Sequence, residues 1–345
     1  MVGLGEIARR ARSRVTHRLE SLPILALSVH SACNCRCVMC DIWKANADKR
    51  EISADDLERH IDAIRALRVQ RVMLTGGEPL LHRNLWTLCR QLQALRIRVT
   101  LVTTGLLIET QAADIAAAVD TVVISLDGDR DAHDTIRRVK GGFDRIAKGV
   151  MALHAQYPTP RLIARSVVQR GNFASLHQTI AAAHQMGFDE ISFLAADVSS
   201  AAFNRPMPWT GDRIAEVTVA ENDLGSLAAS IERAVSMAPD LFHNGFVAGG
   251  RSSLDRVLQY YEALSGHGAF PTVHCNAPWV SAVLEPDGSV RPCFFHPGYG
   301  SAAEGFEDAL NSPRAIAFRQ SLGVESNQTC QRCVCSLNLP LTRTV

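Results

Sequence analysis

The period of the hydrophobic pattern changes along this chain. From residue 24, short runs rich in β-branched and apolar residues alternate with longer amphipathic stretches. The runs are "ILALSVH" (24–30), "RVMLT" (71–75), "RVTLVTT" (98–104), "TVVISL" (121–126), "LIARSVVQ" (162–169) and "EISFLA" (190–195). They are too short for helices and read as strands. Between them, apolar residues at helical spacing predict helices near 53–68, 84–96, 108–118, 142–156 and 174–187. The first has a clear start signal in Ser53 as N-cap, followed by Asp55, Asp56 and Glu58 near the positive helix end. Six strands, each followed by a helix, predict an α/β protein with a parallel sheet and right-handed crossovers. The sheet is either open and doubly wound or a partial barrel. In both, reactive groups belong in the loops at the strand C-terminal ends. Those loops hold a cysteine-rich run after the first strand, "TGGEP" after the second, "TTG" after the third and "LDGD" after the fourth.

Outside this region the rhythm is different. The first 22 residues read as a basic amphipathic helix. Leu4, Ile7, Ala8, Ala11, Val15 and Leu19 form its apolar stripe, and Arg9, Arg10, Arg12, Arg14 and Arg18 lie between or opposite them. The reading favoured is a stripe packed against the domain floor with a solvated basic face; a membrane-surface or partner-binding helix is the rival. Residues 201–270 contain "NRPMPW" (204–209), "GGRSS" (249–253) and helices near 222–237 and 252–264. Residues 271–345 are loop-rich and bear cysteines. The expected organisation is a helix at 1–23, an α/β unit at 24–200, a connecting, substrate-side segment at 201–270 and a small metal-stabilised domain at 271–345.

Composition adds exclusions. The 345 residues are 47% hydrophobic and 21% charged, with 36 basic against 35 acidic side chains for a formal charge of +1. That balance gives no reason to expect a nucleic-acid partner. No apolar run reaches about 18 residues, so no membrane span is expected. No short apolar secretory segment is visible, so the expected location is cytoplasmic. The ten cysteines are then read in a reducing compartment, where clusters point to metal or redox sites rather than disulfides. They bunch at 33, 35, 37 and 40 and again at 275, 293, 330, 333 and 335, with Cys89 alone between. Cys89, in a helix pattern beside Leu88 and Leu92, reads as a buried small hydrophobe.

In "CNCRCVMCDIW" (33–43), Cys33-x₃-Cys37-x₂-Cys40 encloses Cys35. Structural zinc ordinarily takes two cysteine pairs and four ligands. Three thiolates in one loop fit a four-iron cube that leaves one iron open. At the other end, "LEPDGSVRPC" reads as a β-hairpin returning Cys293 beside Cys275, and Cys330-x₂-Cys333 completes four ligands. On spacing alone, zinc and an iron–sulfur cluster are both open there.

The three-cysteine run, followed some 35 residues later by Gly76-Gly77-Glu78-Pro79, resembles the radical S-adenosylmethionine (SAM) superfamily. The cysteine pattern that begins at Cys275 resembles the SPASM/twitch domains attached to such enzymes. The resemblance covers about 24–200 and 270–335. It implies a partial (β/α)6 TIM-like barrel with a small C-terminal iron–sulfur domain. It further implies that Cys33, Cys37 and Cys40 hold a [4Fe–4S] cluster whose open iron takes SAM, the source of a 5′-deoxyadenosyl radical. Cys35 is then a spare. Met39, Gly76, Gly77, Glu78, Pro79, Thr104, Ser125, Asp127, Arg137 and Arg165 match positions near SAM. Glu78 offers a carboxylate to the SAM ammonium group, Met39 packs on adenine, and Arg165 takes a carboxylate; Asn172 also matches a frequent position. An auxiliary [4Fe–4S] cluster would sit on Cys275, Cys293, Cys330 and Cys333, with Cys335 as the alternative fourth ligand. The activity implied is hydrogen abstraction from a small metabolite leading to oxidation, epimerisation or rearrangement. The auxiliary cluster would accept an electron, and a flavodoxin or ferredoxin would donate one. Cys35, Cys89 or Cys335 would be the hydrogen donor in an epimerisation. The alternatives are a ribosomal-peptide-modifying maturase and a non-catalytic zinc or iron–sulfur binding protein.

Overall fold

A computed structural model describes residues 2–345. The chain opens with α1 (Leu4–Thr16), β1 (Ile24–His30), α2 (Ala54–Ala66), β2 (Arg71–Gly76), α3 (Leu85–Ala94), β3 (Arg98–Thr103), α4 (Ile108–Ala118) and β4 (Thr121–Ser125). It continues through α5 (Arg130–Arg137), α6 (Gly142–His154), β5 (Arg161–Val168), α7 (Leu176–Met186) and β6 (Glu190–Ala195). Strands β1 to β6 are parallel and neighbour one another in chain order. The order never reverses, so the sheet is singly wound like a barrel wall rather than doubly wound about a switch point. Its outer face carries Leu25, Leu27, Leu74, Val99, Val122 and Leu162, all fully buried under the helices. α2 begins with a reciprocal cap: Asp56 N–H donates to Ser53 Oγ at 3.0 Å, and Ser53 N–H donates to Asp56 Oδ2 at 2.8 Å.

Then follow α8 (Asp212–Val217), α9 (Leu224–Met237), α10 (Pro239–His243), α11 (Gly250–Leu264), α12 (Ala277–Val280), β7 (Ser281–Leu284), β8 (Ser289–Arg291), β9 (Gly300–Ser301), α13 (Phe306–Leu310), α14 (Pro313–Ser321) and α15 (Gln328–Gln331). The expected hairpin is present as β7 and β8, paired antiparallel. It does not stand apart: β7 lies parallel to β1, with Leu27 opposite Leu284, and extends the sheet to nine strands. The second cysteine group therefore hangs from the same sheet as the first.

The face assigned to α1 holds only in part: Leu19 is buried, Ile7, Ala8 and Ala11 are half-buried, and Arg12 and Arg18 are exposed, but the two ends of the stripe and Arg10 are not as expected. Leu4 and Val15, placed in the apolar stripe, are 87% and 79% exposed, whereas Arg10 is 1% exposed. Arg10 pairs with Glu6 at 2.9 Å and donates to the Arg343 carbonyl at 2.8 Å, while Arg14 donates to the Leu339 carbonyl at 3.0 Å. The helix packs through its arginines because the last residues of the chain present bare carbonyls to them. No helix among the described residues is long and apolar enough to cross a membrane.

Candidate active site

The site starts where β1 ends. Its pairing with β2 shifts register between Ser28 and His30, and the chain turns into the cysteine loop. Asn46 clamps the loop's start, accepting from Cys33 N–H at 2.9 Å and donating to the Cys33 carbonyl at 2.9 Å. Trp43 Nε1 donates to the Cys40 carbonyl at 3.0 Å. Cys33, Cys37 and Cys40 each receive one N–H at sulfur: Cys35 N–H at 3.5 Å, Arg137 Nη1 at 3.5 Å and Ile42 N–H at 3.4 Å. Cys35 is placed differently. Its buried thiol hydrogen-bonds to Cys33 and Cys37, and those contacts together with burial push it far up, so it stays protonated. The contact with Cys35, with the Arg137 charge behind it, pulls Cys37 down to about 6. Burial also pushes the Cys40 thiol up, to about 12, so Cys37 is the sulfur drawn toward the thiolate, and Cys35 is set apart by lending its own N–H to Cys33.

Several residues expected near SAM are engaged in holding this loop. Gly76, at φ +121°, and Gly77 lie against its backbone. A Cβ on Gly76 would stand 2.4 Å from the His30 carbonyl oxygen, and one on Gly77 2.1 Å from that of Ala32. The approach that needs glycine is made by the protein's own chain. Glu78 is fully buried. It accepts from Leu80 N–H at 2.9 Å, Thr103 Oγ1 at 2.7 Å, and Thr104 N–H and Oγ1 at 2.6 Å each. Burial raises its pKa, against the pull of those hydrogen bonds. Pro79 is buried in the turn that follows.

Asp127 and Arg137 form a buried ion pair at 2.6 Å, and the other Asp127 oxygen accepts from Val167 N–H at 2.8 Å. The Arg137 carbonyl accepts from Arg36 N–H, and that of Ile136 from Val38 N–H. Asn172 Nδ2 donates to the Asp127 carbonyl at 2.9 Å. This group brings the charge on Arg137 to Cys37. Met39 is buried in a small apolar cluster with Cys35, Cys37, Ile136 and Val198, not open to an adenine. Ser125, half-buried at the end of β4, pairs in register with Arg165 on β5. Arg165 Nε donates to Ser192 Oγ at 3.3 Å, and no carboxylate among the described residues pairs with it.

The segment after β6 straps the loop from the other side. Buried Arg205 pairs with Asp197 at 2.9 Å, and the guanidiniums of Arg205 and Arg213 each lie 4.3 Å from the Trp209 ring centre. Trp209 Nε1 donates to Asp41 Oδ2 at 3.1 Å, one residue past Cys40. Of "NRPMPW", the structure uses Arg205 and Trp209 this way. "GGRSS" opens α11 instead.

Two cavities bear on the cysteine groups. One, of about 580 Å³, lies over the ends of β1 and β2 and under the β7–β8 turn. Its lining includes Gly76, Gly77, Arg50, Glu285, Arg291 and Phe294. Glu285 follows β7 beside Ser28, 3.7 Å from Arg291, and burial raises its pKa. The sequence reading missed these groups. The only local signal for them was their position flanking the "PDG" turn. The second cavity is lined by Cys275, Cys293, Cys330, Cys333 and Cys335, and also by His296. Cys335 is exposed and Cys330 buried; Cys275, Cys293 and Cys333 lie between. A wider groove of about 880 Å³ lies under the other end of the sheet, lined in part by Arg9, Arg65, Arg68 and Arg96. Cys89 is fully buried, away from all three.

Residues 27–181 match the family described as the radical SAM superfamily, and residues 275–334 match SPASM, described as an iron-sulfur cluster-binding domain. A probable GTP 3',8-cyclase of Methanopyrus kandleri is 34% identical over 136 residues, 39% of this chain and 44% of that protein. An AdoMet-dependent heme synthase of Methanosarcina barkeri is 26% identical over 169 residues, 48% of each. The chain thus spans about half the length of these curated relatives. Among solved structures, Streptococcus suis SuiB bound to S-adenosylmethionine superposes with a TM-score of 0.65 at 16% identity, covering 96% of this chain and 76% of that one. The partial barrel and the thiol-bearing loops agree with both matched families. Residues 27–181 thus form a radical SAM domain and residues 275–334 a SPASM domain, and the cofactors these domains imply are SAM, a [4Fe–4S] cluster and auxiliary iron–sulfur.

Proposed function

We propose that Cys33, Cys37 and Cys40 hold the SAM-binding cluster, that Cys275, Cys293, Cys330 and Cys333 hold one auxiliary cluster, and that the substrate is a small polar metabolite. When bound, the first cluster and SAM supply a 5′-deoxyadenosyl radical that takes a hydrogen atom from that substrate. The observation that carries the reading is the division of the loop: the sulfurs of Cys33, Cys37 and Cys40 each receive an N–H, and Cys35 lies buried between them and donates one.

The chain's own residues support the rest. Arg137, fixed by Asp127, neutralises charge at Cys37. Arg165, half-buried and without a carboxylate partner among the described residues, suits the carboxylate of SAM. The cavity over the ends of β1 and β2 has the size of a small-molecule site. Its Glu285 and Arg291 suit a substrate with both hydrogen-bond donors and acceptors. The Trp209 strap and the β7–β8 turn keep water from the radical's path. Cys333 rather than Cys335 is the fourth auxiliary ligand, since Cys335 is exposed. The reaction is an oxidation, epimerisation or rearrangement in the cytoplasm, with reduction by a flavodoxin or ferredoxin.

The test is anaerobic reconstitution with iron and sulfide, then dithionite and SAM. Release of 5′-deoxyadenosine is expected, rising with a small substrate that takes or gives deuterium. A fully loaded protein that releases none overturns the enzyme reading and leaves a binding protein.

A further inference from the structure

We propose that His296 is a positioning residue of the auxiliary site, and that its ring N–H to Cys330 raises the reduction potential of the cluster there. The inference rests on the reading of residues 275–334 as a cluster-binding domain.

His296 Nε2 lies 3.3 Å from Cys330 Sγ. A ligating thiolate only accepts hydrogen bonds, so Nε2 must carry the hydrogen. The ring is 5% exposed. Among the described residues it is the one side chain that hydrogen-bonds any of the five sulfurs lining this cavity. The other donors are backbone groups: Ala277 N–H at 3.5 Å from Cys275 Sγ, the N–H groups of Phe295 and His296 toward Cys293, and Cys335 N–H toward Cys333. Cys330 is thus the sulfur whose donor a substitution can remove.

The ring is held where it is by three contacts. Arg291 Nε donates to the His296 carbonyl at 3.0 Å, and Arg291 Nη2 donates to that of Phe294 at 3.0 Å. The Phe318 ring packs against the imidazole edge to face, with centroids 5.1 Å apart. One turn after Cys293 therefore serves two ligands, Cys293 with its backbone and Cys330 with its ring. Hydrogen bonds to cluster sulfur stabilise the more negative, reduced state, and protein groups of this kind set cluster potentials.

The experiment uses the full chain with Cys33→Ala, Cys37→Ala and Cys40→Ala, which leaves only the auxiliary site. Iron content comes first, then a potentiometric titration followed by electron paramagnetic resonance. About four irons per chain are expected. His296→Phe keeps the ring against Phe318 and removes the donor. It should shift the equilibrium about tenfold toward the oxidised cluster, a fall of about 59 mV for one electron. His296→Gln restores an N–H at similar reach and should recover most of the shift. If the triple variant reconstitutes poorly, the intact chain serves, with SAM added to mark the first cluster's signal. No iron at the auxiliary site overturns the cluster reading and this inference with it. Iron with an unchanged potential in His296→Phe overturns the role of His296 alone. Loss of iron in both His296 variants makes the imidazole a ligand, which also overturns it.

Discussion

Cys35→Ala is expected to keep the first cluster, and Cys37→Ala to lose it. Cys35 is 2% exposed within a small apolar cluster that includes Met39 and Ile136. The substitution removes one heavy atom there, a change on the scale of a buried one-carbon deletion, about 1 kcal/mol. Against a domain stability of about 5–15 kcal/mol, the protein stays folded. The exchange also removes the thiol lodged between Cys33 and Cys37 without removing a metal ligand. Cys37→Ala deletes the sulfur that Arg137 Nη1 approaches at 3.5 Å. It leaves two ligands on that loop, too few to hold a cube. The assay is iron per chain after anaerobic reconstitution. About eight irons are expected for the parent and for Cys35→Ala, and about four for Cys37→Ala, from two four-iron clusters. Cys35→Ala with about four irons beside a fully loaded Cys37→Ala would refute the division of the loop.

His133 makes stability depend on pH. Burial, helped by the Arg137 charge, lowers its pKa from 6.5 to about 4. The unfolded chain therefore binds the proton first on acidification. The stability His133 contributes is complete above pH 6.5 and is lost as the pH falls toward 4. From pH 7.5 to 5 the loss from this group is about 2 kcal/mol, read as a fall in urea midpoint, and His133→Gln should flatten it. An equal slope in the variant would show that other groups carry the dependence. Gly77→Ala should disrupt the cysteine loop, because its Cβ would stand 2.1 Å from the Ala32 carbonyl oxygen. Cluster incorporation should fall in that variant while Gly225→Ala, on the exposed face of α9 where a Cβ meets nothing within 4 Å, retains it; equal iron in both would contradict the packing described.

The strands were legible because a buried strand of a parallel sheet is almost uninterrupted in apolar residues. β1 and β6 have the bounds their sequence patterns predict. α5 was not foreseen, since "RDAHDTIR" offers only Ile136 as an apolar anchor and turns inward through His133 and Arg137. The orientation of α1 was misread in part, for a related reason: its arginines are satisfied by carbonyls more than three hundred residues away. Local periodicity cannot register such partners. At the site, spacing alone identified the cysteines. The glycines of "GGEP" were placed near SAM by resemblance; the close approach visible in the structure is to the His30 and Ala32 carbonyls, which no local pattern announces. The carboxylate of Glu78 and the position of Thr104 were likewise visible, but not that Thr103 and Thr104 donate to that carboxylate.

The pairing of β1 with β7 has a consequence for biosynthesis. Leu27 and Leu284 face each other across a sheet edge, yet the ribosome makes one long before the other. At about 5–20 residues per second, Leu27 waits roughly 13–50 s for its partner. Throughout that interval the barrel half has an unpaired strand edge, open to pairing with another nascent chain. The first cysteine loop hangs from that same unfinished strand. Iron delivery is therefore best timed to release of the complete chain, and slow translation or a truncated product would raise aggregation through β1.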